Sequence, residues 1–433
     1  MAERLGVPHR TTQIPWGEDP FPKKPHENEP IEEIARAARQ NRLLNSLRLV
    51  QAPCIAFGHH ADDQVETAIM RIMKGSGEFG IAGMQPVRRW GMGTDTGLEA
   101  AGLAGMNHWI IRPLLTIPKR LMDPAKSDDN RPLTVKEQTT QKAIKKLSQY
   151  AGGDCSLPGL REAVYQAGCS IDQTEQQASD ALDKCTLPSP PSTLLLSHPH
   201  LLSITDPLVR HALVRRVLRC VSPRPWGAPS AVASGSRAKL DRFAQRIWDA
   251  PRTESEANSA FSLGARVRWQ PAVVRADGAV RMDRAPQHGE YGAWLVVREP
   301  PWSPGRVMSE NEPRDATADY TDKILEAKDR DARTVQLLYD ARFCIEIAVD
   351  DMPEDVSESL IDRVSQGRII VKPDTKWWLP KVVWQREFLP DQVLAQYAFA
   401  DEKNQQWTVD RPPLKLVAVP WVQMSFIRPL SAL

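Results

Sequence analysis

The sequence predicts an α/β fold at the N-terminus, a helical middle region and a β-rich, mixed C-terminal region. The apolar run 54–57 reads as a buried parallel strand, and apolar residues at helical spacing follow it in 65–73. Residues 126–260 are largely polar and helix-prone, and strand-like segments begin at Phe261. We therefore divide the chain into regions 1–125, 126–260 and 261–433.

Length and composition limit the classes of protein that need to be considered. A chain of 433 residues with 41% hydrophobic content suggests about three globular domains. The net charge is only +2, so any RNA-binding site must be a local patch. No apolar run is long enough to span a membrane, and the first residues lack a signal-peptide core. We expect an intracellular protein, either mitochondrial or cytoplasmic.

The six cysteines include no C-x-x-C pair. Zinc ribbons and iron–sulfur sites use such pairs, so no metal site is predicted. We expect all six to be free, buried thiols of a protein in a reducing compartment.

The polar block 58–67 lies where the first strand ends and the next helix begins, and it contains His59, Asp63 and Glu66. Ligands of open α/β sheets bind at this end of the strands. Asp63 and Glu66 are three residues apart on a helix, so both can grip one cation. The alternative is a pair of surface histidines followed by acids that complement the helix dipole.

Four further blocks extend this pattern in order along the chain. Together they resemble the tRNA(Ile)-lysidine synthetase family, in which the same blocks occur in the same order. The matching residues are Glu33, Ala35, Arg36 and Arg39; His59 to Thr67; Lys74, Gly75, Ser76 and Gly77; Gly83 and Met84; and Arg112, Pro113, Leu114 and Leu115.

The resemblance implies an N-type ATP pyrophosphatase of the PP-loop superfamily, with a Rossmann-like, adenine nucleotide alpha hydrolase-like sheet. Such enzymes use ATP and Mg²⁺ to adenylate the C2 carbonyl of the wobble cytidine of tRNA(Ile), and free lysine then displaces AMP. By motif match, Asp63 and Glu66 hold the lysine. His59, Arg39 and Asp63 are the implied catalytic residues, with His59 beside the reacting phosphate and Arg39 facing the transition-state charge.

Two motif residues have simpler interpretations that we prefer. Arg112 precedes a proline at a strand end, which suggests a structural ion-pair partner. The turn from Lys74 to Gly77 has the composition of an ordinary helix terminus.

Two departures from the family pattern bear on activity. The Ser-Gly-Gly-x-Asp-Ser loop that holds pyrophosphate in the family does not occur in these residues, so we expect a partial sheet and cannot assign the nucleotide-binding residues. After the Arg-Pro-Leu-Leu strand, 123–128 keep the family's frame with Ala-Lys in place of Thr-Asn. Either the chain is truncated or it has lost its ATPase.

Three hypotheses therefore stay open. The first is lysine ligation. The second is tRNA thiolation by an enzyme of the same superfamily, with Cys54 as the candidate nucleophile in the motif region. The third is a non-catalytic tRNA-binding remnant.

Asp206 and Pro207 predict the start of a helix that runs to Cys220. The apolar residues of this helix share one face, and its arginines fall largely on the remaining surface. These arginines suit tRNA phosphates, although a charged helix face is more often simply solvated. They are Arg210, Arg215, Arg216 and Arg219.

The C-terminal region contains strand-like runs and many tryptophans. We predict strands at 266–269, 293–298, 343–347, 368–371 and 414–419. Its tryptophans could stack on unpaired bases, but we interpret them as core residues.

Overall fold

The computed structural model of the protein describes most of the chain. The described residues are 3–26, 31–94, 98–122, 147, 152–228, 231, 237–248, 259–262, 264–282, 285–299, 317–362, 366–375, 377–399, 407–410 and 414–430. The departure from the family pattern at 123–128 lies outside them.

The N-terminal region is an α/β unit built on a small sheet. After a 3₁₀ turn at Glu3–Leu5, the elements are α1 (Ile31–Leu49), β1 (Cys54–Ala56), α2 (Ala61–Met73), α3 (Gly77–Ile81), β2 (Val87–Arg89), α4 (Gly102–Asn107), β3 (Trp109–Ile111) and α5 (Lys119–Met122). Strand β1 runs parallel to β3, and β2 runs antiparallel to β3.

The expectation that the first strand is buried is wrong. Cys54 and Ala56 are exposed, because β1 is an edge strand of the β1–β3–β2 sheet that the described residues form.

The expectation of six buried thiols is also wrong. Cys54, Cys155 and Cys169 are exposed, because they lie on this edge, in a loop and on the cavity-facing side of a helix.

Helix α2 packs its apolar face against α6 (Leu157–Cys185) of the middle region. Val65, Ala68 and Ile69 are buried there with Leu160 and Val164, as the helical spacing predicted. The helix ends at Met73, and Gly75 follows with a φ of +74°, a left-handed conformation that favours glycine. The prediction of helix termination at this turn is confirmed.

The middle region is mainly helical, as predicted. After α6 come β4 (Thr186–Leu187), β5 (Leu194–Ser197), α7 (His198–Leu202), α8 (Pro207–Val221) and α9 (Arg237–Trp248). The predicted start of α8 is confirmed, since Asp206 Oδ1 accepts a hydrogen bond from the backbone N–H of Leu208. The apolar face of α8 packs with α6, α9 and β9 in one core.

The C-terminal region is β-rich, as predicted. It contains β6 (Phe261–Ser262), β7 (Val267–Val274), β8 (Val280–Arg281), β9 (Tyr291–Arg298), β10 (Ala318–Asp319), α10 (Thr321–Asp329), β11 (Thr334–Tyr339), β12 (Phe343–Ala348), α11 (Glu354–Ile361), β13 (Arg368–Asp374), β14 (Leu379–Arg386), β15 (Leu389–Phe399), β16 (Leu414–Ala418) and β17 (Val422–Phe426). All five predicted strands are present. Trp269, Trp377, Trp384, Trp407 and Trp421 are buried, which confirms their interpretation as core residues.

The sheets of this half are antiparallel. Their strand orders are β10–β13–β14–β15–β16, β11–β12–β17 and β4–β5–β9–β7–β6, with β8 paired to β7. Strands from 126–260 and 261–433 therefore share one sheet, while the junction at 125 lies outside the described residues. The domain boundaries stay a prediction. None of the helices described is long and apolar enough to cross a membrane.

Candidate active site

A cavity of about 1780 Å³ lies between the N-terminal α/β unit and helices α6 and α8. His59, Asp63, Glu66 and Arg39 all line it, so the fold brings together the four residues that the family resemblance singled out. Their chemical roles stay predictions, because the geometry gives only their common location.

The N-terminus of α2 is fixed by a reciprocal pair of hydrogen bonds. The backbone N–H of His60 donates to Asp63 Oδ2 at 2.9 Å, and the backbone N–H of Asp63 donates to His60 Nδ1 at 3.3 Å. This capping box ties one carboxylate oxygen of Asp63 to the backbone. Glu66 lies one turn further along and is exposed to the cavity. The two carboxylates are therefore unequal: Asp63 also supports the helix, whereas Glu66 is free to serve a ligand.

His59 is held as a neutral imidazole. Burial lowers its pKa below the usual 6.5, the nearby Arg112 lowers it further, and Asp63 opposes the shift. Its Nδ1 atom is buried and has no hydrogen-bond partner. A neutral imidazole at the wall of a cavity can accept a proton from a bound ligand at neutral pH.

Four guanidiniums gather on the same side of the cavity, from α1, α2, β2 and the end of β3. We call Arg36, Arg71, Arg88 and Arg112 the arginine cluster. Burial, followed by the charges of Arg88, Arg71 and Arg36 in that order, lowers the pKa of Arg112 to about 10. Burial, followed by Arg36 and Arg71, likewise lowers the pKa of Arg88. Within the described part of the chain, none of the four forms an ion pair with a carboxylate.

Backbone carbonyls orient three members of this cluster. Arg71 donates to the carbonyl of Gly83, Arg88 to those of Arg89 and Trp90 at 2.9 Å, and Arg112 to that of Gln85 at 2.7 Å. The prediction that Arg112 is a structural ion-pair partner is wrong, because the neighbouring charges that act on it are arginines. Its Nε is buried without a partner. Oriented cations with unused donors make an anion-binding wall.

The sequence interpretation missed the role of Gln64. Its side-chain Nε2 donates to the carbonyl of Met84 at 2.9 Å, and its Oε1 accepts from the N–H of Met84 at 2.6 Å. Gly83 has a φ of +67°, and a Cβ there would lie 2.5 Å from Gln64 Oε1. Gln64 therefore clamps the loop that carries Gly83 and Met84 to α2. The sequence feature that could have indicated this contact is the presence of both Gln64 and the Gly83-Met84 pair among the family motifs.

The basic face of α8 is not the open surface that the sequence suggested. Arg216 and Arg219 are each only 5% exposed, because α3, α6 and the turn after α8 cover that side of the helix. Arg216 Nε pairs with Glu175 Oε2 at 2.7 Å. The guanidiniums of Arg215 and Arg210 lie over the rings of Phe79 and Trp248, at 4.5 and 5.3 Å. The prediction that these arginines lie on an open surface is therefore wrong for Arg216 and Arg219. Contact of the four arginines with tRNA stays a prediction.

Arg215 and Arg219 nevertheless line the cavity, opposite the N-terminal unit. Arg71 of the arginine cluster acts electrostatically on Arg215, and Arg215 acts on Arg219. Arg161 of α6 pairs with Asp62 at the start of α2, which joins the two halves of the cavity wall. Arginines therefore line the cavity from the N-terminal unit to α8, and on the α8 side Glu175 partly offsets the charge of Arg215 and Arg219. Within the residues described, no three or more His, Cys, Asp or Glu side chains are grouped to hold a metal ion.

The fold and this cavity define the class of the protein. Residues 1–131 match the family model of the PP-loop domain, so the N-terminal part of the chain is a PP-loop domain.

Within that class, the chain resembles tRNA(Ile)-lysidine synthases. It is 37% identical to the tRNA(Ile)-lysidine synthase of Methylobacterium nodulans over 119 residues, which are 28% of this chain and 28% of that relative. The one from Methylobacterium sp. is 44% identical over 92 residues, 21% of this chain and 24% of the relative. The one from Bacillus subtilis is 48% identical over 69 residues, 16% of this chain and 11% of the relative.

The aligned part of the chain spans about a quarter of the length of the two Methylobacterium relatives. The match to the PP-loop domain covers residues 1–131, which contain the α/β unit and the cavity wall that this unit provides.

Proposed function

We propose that the protein is an ATP-dependent carbon–nitrogen ligase that joins lysine to C2 of the wobble cytidine of tRNA(Ile). The observation that carries this proposal is the arginine cluster beside His59 and Asp63 in the cavity of a PP-loop domain. Arg112 is buried, Arg71 and Arg88 are half-buried, and neighbouring cations of this kind repel one another until an anion binds. The phosphates of ATP and tRNA are anions of the required kind.

In the first step of this reaction, the C2 carbonyl oxygen of the cytidine attacks the α-phosphorus of ATP and pyrophosphate leaves. The arginine cluster would hold the phosphate oxygens and neutralise the charge that grows on the leaving pyrophosphate. Mg²⁺ would be held mainly by the substrate phosphates and water, since Asp63 and Glu66 are assigned to the lysine. Arg39, exposed on α1 and also lining the cavity, would approach the same phosphates.

In the second step, the ε-amine of lysine attacks C2 and AMP leaves with the former carbonyl oxygen. Lysine arrives as an ammonium ion, which Glu66 and Asp63 would hold. It must lose a proton before it can attack, and His59, whose lowered pKa keeps the imidazole uncharged at neutral pH, is available to accept that proton.

The competing hypotheses have less support. Thiolation requires a cysteine nucleophile at the reaction centre. Cys54, the candidate in the motif region, does not line the cavity; Cys169 of α6 does, but it lies outside residues 1–131, which match the PP-loop domain. The three relatives compared above are all tRNA(Ile)-lysidine synthases, which also favours ligation. A non-catalytic remnant would have no use for a neutral, partly buried histidine beside the arginine cluster.

Pyrophosphate release from ATP, measured with tRNA(Ile) and lysine present or omitted, tests the proposal. Ligation predicts pyrophosphate release that depends on tRNA(Ile). The assay mixture must contain no aminoacyl-tRNA synthetase, because such an enzyme also releases pyrophosphate when tRNA is present. Replacing His59 by Gln should slow the lysine-dependent step. Binding of tRNA without any release of pyrophosphate would support the remnant and contradict the ligase.

A further inference from the structure

The turn after helix α8 joins the cavity to the C-terminal region. Gly227 and Ala228 of this turn line the cavity. Trp226, next to them, is fully buried and packs with Met92 of the N-terminal region and Ala341 of the C-terminal region. We call residues 222–228 the Trp226 turn. All three regions of the chain meet at this one indole ring.

Two guanidiniums contact the Trp226 ring. Those of Arg219 and Arg428 each lie 5.6 Å from its centroid, within the range of a cation–π interaction. Arg219 belongs to the cavity wall, and its buried Nε and Nη1 have no hydrogen-bond partner. Among the described residues no hydrogen bond fixes these two donors, so the Trp226 ring is one of the contacts that position the guanidinium of Arg219.

Arg428 fastens the Trp226 turn to the C-terminal region. It follows β17 by two residues and is 3% exposed. Its Nη1 donates to the carbonyls of Ser222, of Arg224 at 2.6 Å and of Ala341 at 3.2 Å. The Cys220 thiol donates to the carbonyl of Arg428 at 3.7 Å. One side chain therefore holds both the start of the turn and the β11–β12 hairpin.

The N-terminal region holds the other side of the turn. The backbone N–H of Met92 donates to the carbonyl of Trp226 at 2.7 Å. Gly91 has a φ of +96°, and a Cβ there would lie 3.1 Å from that carbonyl oxygen. With the backbone of Trp226 fixed on this side, the guanidinium of Arg428 contacts its ring from the C-terminal region.

We propose that Arg428 is a positioning residue that acts through Trp226 to fix Arg219 at the cavity wall, so that the C-terminal region sets the cavity's affinity for phosphate groups. None of the cavity-lining residues described lies beyond Leu240, so this influence must be indirect. The inference rests on the proposed function, because it takes phosphate groups as the ligand. It adds that the anion site depends on a region outside the aligned PP-loop domain.

A double-mutant cycle on pyrophosphate binding tests this proposal, with affinities measured by titration calorimetry on the full chain. Arg219→Met should weaken binding about tenfold, as expected for loss of one charged hydrogen-bond donor, and Arg428→Met should weaken it by a similar factor because it leaves Arg219 misplaced. The double variant should bind no more weakly than Arg219→Met alone. Losses that multiply to about a hundredfold would show that Arg428 acts independently of Arg219 and would overturn the proposal.

Two further variants distinguish loss of the contact with the ring from unfolding of the protein. Trp226→Phe keeps an aromatic face and should bind pyrophosphate nearly as well as the wild type, whereas Trp226→Leu should resemble Arg428→Met. Equal losses in both would contradict a role for the ring. Arg330→Met is the matched control, since Arg330 lies on the surface with its side chain 76% exposed, and it should change nothing.

Repeating the cycle with tRNA(Ile) in place of pyrophosphate identifies the source of the phosphate. Non-additive losses with either ligand support the positioning role and show which ligand Arg219 meets. If the wild type binds pyrophosphate and tRNA but the losses are additive with both, only the positioning inference fails. If the wild type binds neither, the proposed function fails with it.

Discussion

Arg112 and His59 are coupled across the wall of the cavity: the guanidinium lowers the pKa of the imidazole, second only to burial. The folded protein therefore disfavours the charged histidine. Since the pKa lies below the unfolded value of 6.5, stability is lost as the pH falls through 6.5 toward the lowered pKa. A cation beside the histidine therefore keeps the imidazole uncharged at neutral pH and makes it a weaker base.

We predict that Arg112→Met raises the pKa of His59 toward 6.5, because it removes the nearest source of positive potential. Histidine ring signals in ¹⁵N-detected NMR spectra, followed between about pH 5 and pH 8, measure this shift. The His59→Gln variant assigns the signal. An unchanged midpoint in Arg112→Met, matched by an unchanged midpoint in the control Arg330→Met, would show that the coupling is absent.

Arg112→Met should also separate stability from function. It removes a buried cation whose neighbours are cations, so the free energy of unfolding without ligand should stay the same or rise. Pyrophosphate affinity should fall at least about tenfold, because a charged donor to the anion is lost. Thermal unfolding with and without pyrophosphate measures both quantities. A variant that is destabilised yet binds normally would make Arg112 a structural residue.

Gln64→Glu should destabilise the N-terminal unit by roughly 1–3 kcal/mol. The substitution removes the donor to the carbonyl of Met84 and places a carboxylate oxygen against it. Urea unfolding measures the loss. Gln177→Glu, on the exposed surface of α6, makes the same chemical change and should be nearly neutral. Equal effects at the two positions would mean that the clamp on Met84 contributes little.

The two carboxylates should respond differently to substitution. Glu66→Gln removes a charge at an exposed position, so it should raise the KM for lysine without altering unfolding. Asp63→Ala should do the same and also cost about 1 kcal/mol, because it breaks the capping box. Asp63→Asn keeps an acceptor for the N–H of His60 and should recover most of that stability. If both variants of Asp63 bind lysine normally, its assignment to the nucleophile is wrong.

The sequence was informative where local pattern determines structure. The spacing of Val65 and Ile69 predicted the buried face of α2, and Asp206 with Pro207 predicted the start of α8. The family motif predicted that His59, Asp63, Glu66 and Arg39 would lie together, and they line one cavity. Each of these inferences depends on residues that are close in the chain or on a motif of fixed order.

Long-range packing was beyond such reasoning. Arg216 was expected on the surface, but Glu175 lies 41 residues away and supplies its partner. Arg112 was expected to meet a carboxylate, whereas the fold surrounds it with arginines from three other elements. The contact between Trp226 and Arg428 joins residues about 200 positions apart. The sequence around neither residue predicts this contact.

The most direct test of the account is nucleoside mass spectrometry of tRNA(Ile) after incubation with the protein, ATP, Mg²⁺ and lysine. The account predicts a wobble cytidine joined at C2 to the ε-nitrogen of lysine, formed more slowly by Arg112→Met and by Glu66→Gln. A 2-thiolated cytidine formed with a sulfur donor, or an unmodified wobble cytidine in tRNA that the folded protein binds, would contradict it.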